Sequence, residues 1–135
     1  MLRGFTTISY YAQDLEAAKA WYTELLGIEP YFEVPGGYVE FRVGDYQHEL
    51  GIVQGDWAPH DLNAAPGGVK TYWHVDDLDA TMERLLAMGA KEYEPKTVRG
   101  EGFVTASFLD PFGNILAVMY NQHYLDTLAS FGKGA

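Results

Sequence analysis

Cysteine is absent from this 135-residue chain. That excludes disulfides, thiolate metal sites and cysteine nucleophiles. Basic residues are scarce: 9 Lys and Arg face 19 Asp and Glu, for a formal net charge of −10. The resulting field repels polyanions, so nucleic acid and anionic membrane surfaces are not expected partners. No apolar run approaches the roughly 20 residues needed to span a bilayer. Met1-Leu2-Arg3-Gly4 leads straight into strand-like sequence with no signal-peptide pattern, so a cytoplasmic location is expected. What the chain does have is apolar and aromatic bulk, 47% and 15% of residues, which excludes disorder. At this length roughly two-thirds of the unfolded surface can be buried, enough for one domain or two small halves sharing a core.

Phe5 to Tyr11 mixes β-branched and aromatic residues and reads as a strand. Asp14 stands where a helix N-cap belongs. Leu15, Ala18, Tyr22 and Leu25 then recur at helical spacing, and Gly27 supplies a stop. Tyr38 to Val43 and His48 to Val53 read as strands joined by a hairpin at Gly44-Asp45. Residues 55–68 hold Gly55, Pro59, Pro66, Gly67 and Gly68 with little apolar periodicity, and read as a linker. The pattern then restarts: a strand from Thr71 to Val75, an N-cap at Asp76-Asp77, and a helix carrying Leu78, Met82, Leu85 and Leu86 up to Gly89. Strands from Phe103 to Leu109 and Ile115 to Tyr120 flank the turn Asp110-Pro111-Phe112-Gly113-Asn114.

This is an internal repeat. Val75-Asp76-Asp77-Leu78-Asp79-Ala80 echoes Ala12-Gln13-Asp14-Leu15-Glu16-Ala17, and Met88-Gly89 echoes Leu26-Gly27. From Asp14 to Asp77 the offset is 63 residues. Each half reads strand, helix, then two or three strands, an α+β class. The boundaries fall at about 1–54 for the first module, 55–68 for the linker, 69–122 for the second module and 123–135 for a tail. An ordinary α+β sandwich with two similar helices is the competing arrangement.

Asp14-Leu15-Glu16-Ala17-Ala18-Lys19-Ala20-Trp21-Tyr22 running to Leu25-Leu26-Gly27, His74-Val75-Asp76-Asp77-Leu78-Asp79-Ala80, and Asp110-Pro111-Phe112-Gly113-Asn114 resemble the vicinal oxygen chelate superfamily. It includes glyoxalases, extradiol dioxygenases, and bleomycin and fosfomycin resistance proteins. The resemblance implies two βαβββ modules forming a partly open mixed-sheet barrel around a cavity, and often a homodimer. It does not name a reaction, because one scaffold hosts many chemistries.

In metal-dependent members, four side chains hold one divalent ion. Carried over by spacing, these positions fall on Thr7, Glu49, Lys70 and Ala117. Only Glu49 is a plausible ligand. Thr7 offers a weak neutral oxygen, Lys70 a repelling ammonium and Ala117 no donor. No metal or other cofactor is therefore expected.

Strand parity extends this set to the residues expected to line the cavity. Thr7 brings Ser9 and Tyr11; Glu49 brings Gln47 and Gly51; Lys70 brings Tyr72 and His74; Ala117 brings Ile115 and Met119. Such a mix of aromatic, apolar and a few polar groups suits a small organic ligand, and the net charge favours a cationic one. Glu49 is either a general base or a carboxylate paired with a cation. An ion pair with Lys70 is one expectation. His74 is either an acid/base or a histidine bonded to Asp76. Trp73 should pack against a helix, and Trp57 should cover a pocket mouth or a partner.

Three functions follow. The first is a metal-free small-molecule-binding protein of the resistance-protein kind. The second is a lyase or dioxygenase, either metal-dependent through displaced ligands or metal-free through Glu49 and His74. The third is a structural homodimer whose cavity is filled by its own side chains.

Overall fold

The computed structural model describes residues 1–132. It divides into two compact units, Met1–Ala64 and a second beginning at Ala65, so the junction falls inside the 55–68 stretch.

The first unit runs β1 (Thr7–Ala12), α1 (Leu15–Leu26), β2 (Phe32–Val34), β3 (Tyr38–Val43) and β4 (His48–Gln54), followed by a single 3₁₀ turn at Gly55–Trp57. Its four strands form one sheet in the order β1-β4-β3-β2. β1 and β4 are parallel; the other pairs are antiparallel. α1 begins where its cap dictates: the Asp14 carboxylate accepts the Ala17 N–H at 3.0 Å. It ends at Gly27, whose φ of 69° lets its N–H reach back to the Thr23 carbonyl at 2.9 Å. Leu15, Ala18 and Tyr22 are buried on the helix. The buried strand residues are Tyr10, Ala12, Val39, Phe41, Val43, Leu50 and Ile52. Their register puts all seven on one face of the sheet, which makes this the core face. The opposite face carries Thr7, Ser9, Tyr11, Tyr38, Glu40, Arg42, Glu49, Gly51 and Val53.

The second unit repeats the plan. β5 (Thr71–His74), α2 (Leu78–Ala87), β6 (Lys91–Gly100), β7 (Phe103–Leu109) and β8 (Ile115–Asn121) form a sheet in the order β5-β8-β7-β6, and α3 (Gln122–Ser130) follows. The Asp77 carboxylate caps α2 by accepting the Ala80 N–H at 3.0 Å. The turn between β7 and β8 is built by Asp110. One oxygen accepts the N–H groups of Phe112 and Asn114 at 2.9 and 2.8 Å, and the other accepts the Asn114 amide at 3.0 Å. This motif of the resemblance is thus a turn device.

Some expectations on elements are corrected. β1 starts at Thr7, and Phe5 is exposed. β2 and β6 complete the βαβββ plan that the resemblance implies, although the residue pattern located neither. β2 is three exposed residues at a sheet edge. β6 is an exposed edge strand holding Pro95 and interrupted by register shifts, the positions where proline is tolerated in a sheet. The tail carries a nine-residue helix to Ser130; residues 133–135 lie outside the described residues. Among the described residues, no helix is long and apolar enough to cross a membrane.

Candidate functional site

On the polar face of the first sheet, cross-strand register builds one cluster. Thr7 on β1 lies opposite Glu49 on β4, and Glu49 lies opposite Arg42 on β3. Glu40, two residues before Arg42, lies opposite Gly51. The Arg42 guanidinium reaches both carboxylates, with Nη1 at 3.1 Å from Glu49 and Nη2 at 3.2 Å from Glu40. The Tyr38 hydroxyl donates to the other Glu40 oxygen at 3.1 Å. Tyr38 can lie there because Gly51 has no side chain: a Cβ at 51 would stand 2.5 Å from the tyrosine oxygen.

Burial and proximity set the charge states. The hydrogen-bonded Glu49 carboxylate raises the Glu40 carboxyl above its ordinary range, while the same contact lowers Glu49. The two acids therefore titrate as a pair, with the proton held on the Glu40 side. Burial, followed by the bond to Glu40, pushes the Tyr38 hydroxyl up to about 12. Glu40 is the most enclosed member, at 7% exposure.

The polar face of the second sheet carries a smaller cluster. Lys70 Nζ lies 2.9 Å from Glu94, and the Ser107 hydroxyl donates to the same oxygen at 2.8 Å. The ammonium also stands over the Tyr72 ring at 5.5 Å. Glu94 raises the pKa of Lys70, and Lys70 lowers that of Glu94. On the same strand pair, Arg99 of β6 donates to Thr105 of β7 at 3.2 Å. Ala117 is fully buried beneath this face, opposite Tyr72 and Ser107 in the ladder.

His74 has both ring nitrogens engaged. Nδ1 accepts the Asn121 backbone N–H at 3.2 Å, which leaves the ring proton on Nε2 for Asp76 at 3.1 Å. Its ring stacks on Tyr124 at 4.8 Å. The imidazole thus ties β5 to the start of α3. Met119, on the same face, accepts the Asn121 amide at sulfur.

The expected site residues are thereby distributed as follows. Thr7 and Glu49 share one cluster; Lys70, Tyr72 and Ala117 lie together in the other unit. Ser9 and Tyr11 continue the first polar face, with Tyr11 edge-on to His60 at 5.1 Å. Gln47 departs from strand parity: it lies in the β3–β4 turn with φ of 55° and bonds to Gly44. Within its own unit Glu49 pairs with Arg42, and within the other Lys70 pairs with Glu94. Tyr38, Glu40 and Arg42 escaped notice, although their i, i+2, i+4 spacing on β3 places all three on the Glu49 face. A hollow of about 450 Å³ lies elsewhere in the first unit, at the α1 N-terminus, lined by Gln13, Asp14, Leu15, Glu16, Gly36 and Gln54. Trp57, 63% exposed, lays its ring over Gly37.

The residues at the four carried-over metal positions do not fit an ion: one is a cation already paired with a carboxylate and one has no donor atom. Among the described residues, no group of three or more His, Asp or Glu is arranged to hold a metal.

Two units of strand, helix and three strands, each with one polar sheet face, define a class seen in solved structures. A lactoylglutathione lyase from Agrobacterium tumefaciens is 24% identical, with a TM-score of 0.69 over 92% of this chain and 98% of that one. A bleomycin resistance determinant encoded on the transposon Tn5 is 20% identical, with a TM-score of 0.62 over 88% and 98%. A fosfomycin resistance protein from Listeria monocytogenes, solved with Mn(II) and a dihydroxypropylphosphonic acid, is 16% identical, with a TM-score of 0.72 over 90% and 92%. A search of curated proteins found no match. The family model for the Glyoxalase/Bleomycin resistance protein/Dioxygenase superfamily matches residues 4–118, and the chain belongs to that superfamily.

Proposed function

We propose that this chain binds a small organic molecule and does so without the metal ion of its metal-dependent relatives. The observation that supports this reading is the chemistry at the four metal positions, above all Lys70 and Ala117, which supply a paired cation and no donor. The net charge of −10 favours a cationic or amphipathic ligand. A homodimer and a cytoplasmic location belong to this reading on the strength of the resemblance and composition.

The test is thermal unfolding of chelator-treated protein with and without Ni²⁺, Zn²⁺, Co²⁺, Mn²⁺ and Fe²⁺. An ion at 100 times its dissociation constant adds about 2.7 kcal/mol, which moves the midpoint by several degrees. No shift is expected with any of them. A specific upward shift overturns the reading and directs assays to metal-dependent lyase or dioxygenase chemistry.

A second reading, a metal-free proton-transfer enzyme using Glu49 and His74, draws support from one feature. Their contact raises the Glu40 carboxyl and lowers that of Glu49, a divergence in the sense needed of an acid and a base. His74 weakens it, since both ring nitrogens are engaged. Turnover that survives in Glu49→Gln counts against this enzyme reading.

A further inference from the structure

α3 is held to the second unit mainly at its start, since Leu128 is its one buried residue. Two backbone donors fix the entry. The Gln122 N–H donates to the Gly102 carbonyl at 2.9 Å, and the Asn121 N–H donates to His74 Nδ1 at 3.2 Å. Asn121 is also the N-cap, its side-chain oxygen accepting the His123 N–H at 2.9 Å. The His74 side chain is 7% exposed and its ring lies flat against that of Tyr124, so a turn of the imidazole displaces the helix. The bond at Nδ1 exists only in the neutral ring, because an imidazolium carries a proton on both nitrogens and accepts at neither. Protonation sets two N–H groups against each other in an enclosed place, where an unmade hydrogen bond costs most. The other groups facing the ring do not offset this. Asp76 gains from the charge at Nε2, but it is 90% exposed, where such a pair is worth little. The Tyr120 and Tyr124 rings tolerate a cation without repairing the bond at Nδ1.

We propose that His74 is a proton-operated latch for α3: neutral, it holds the N-cap residue and Tyr124; protonated, it lets the helix go. Docking needs the neutral ring, so it is favoured at high pH and lost as pH falls. Histidine is the side chain that ordinarily changes charge between about pH 5 and 8, so the latch opens on mild acidification. What release uncovers is the end of the second polar face at His74 and Met119, on the same side as Tyr72 and Ala117. The latch goes beyond the binding reading and holds whether or not a small molecule or a metal binds. His123 is the competing titrating group, since its charge in the first turn of α3 would also loosen the helix.

The experiment is hydrogen–deuterium exchange on the full chain, read by mass spectrometry from about pH 8 to about pH 5, the range in which histidine titrates. Protection is corrected for the intrinsic pH dependence of exchange, and α1 and α2 serve as internal references. NMR follows the His74 ring protons over the same range. In the parent, protection across α3 is expected to fall roughly tenfold or more along the His74 titration, while α1 and α2 hold. His74→Asn offers an oxygen to the Asn121 N–H and does not titrate, so its α3 protection is expected to be the same at both ends. Asp76→Asn removes a carboxylate that favours the charged ring, so the fall is expected at lower pH. Should His74→Asn fail to fold, the shift in Asp76→Asn decides. An α3 that is unprotected at the alkaline end, or that stays protected while the His74 ring titrates, overturns the proposal. So does a ring that does not titrate in this range, or a fall that Asp76→Asn leaves unmoved. An equal fall in α1 and α2 overturns it as global unfolding, and the same fall in His74→Asn overturns it in favour of His123.

Discussion

Gly51→Ala is the sharpest probe of how the first polar face is built. Gly51 lies inside β4, with β1 and β3 on either side. Replacing a mid-strand glycine with alanine normally gains about 0.5–1 kcal/mol in chain entropy. Here the new Cβ would stand 2.5 and 2.6 Å from the Tyr38 oxygen and ring. The ring must move, overpacking of this kind costs about 1–3 kcal/mol, and the displaced hydroxyl gives up its bond to Glu40. The steric term wins, and a net loss of roughly 1–2 kcal/mol is expected, or several degrees in midpoint for a chain of this size. The assay is urea unfolding of four proteins: parent, Gly51→Ala, Tyr38→Ala and the double variant. With the ring gone the clash disappears, so Gly51→Ala in the Tyr38→Ala background should be neutral or stabilising. The two substitutions then couple by about 1–3 kcal/mol, since residues in contact are not additive. Equal cost in both backgrounds, or no cost in the parent, would refute the account of Gly51 as the seat of Tyr38.

Other expectations concern titration in both units and the anchoring of α3. Glu94 is lowered by Lys70, so its contribution to stability is present above its unfolded pKa and is lost as pH falls through the folded value. The stability gap between parent and Glu94→Gln should therefore narrow on acidification below about pH 4.5, measured by urea unfolding across pH; a constant gap sinks the assignment. Glu40 behaves in the opposite sense. Its raised pKa gives stability present at low pH and lost as pH rises through the folded value, so Glu40→Gln should flatten that loss. His74→Phe removes the acceptor for the Asn121 N–H and should cost about 1–3 kcal/mol while speeding amide exchange through α3. Unchanged exchange in α3 would show that the histidine does not anchor it.

What could be read from the sequence was whatever is decided locally. Asp14 and Asp77 each cap a helix with an oxygen three residues from its N–H partner, and Gly27 closes α1 through its own backbone angle. No distant residue is needed for either. The polar clusters are different in kind. Glu49 stood out because a family pattern marks it, but its partner Arg42 meets it across a ladder whose register no local signal fixes. Lys70 was noticed as a misplaced cation, yet its partner Glu94 lies on β6, a strand hidden by Pro95 and by charged, exposed neighbours. Edge strands of that composition resist pairing with other chains, which is one use of the same charges that disguise them. What the two pairings share is separation along the chain: Arg42 and Glu49 are 7 residues apart and Lys70 and Glu94 are 24 apart, so neither shows in a local window. Each unit pairs a polar-face carboxylate with a cation of its own, Arg42 with Glu49 and Lys70 with Glu94, so the organisation of charge follows the repeat.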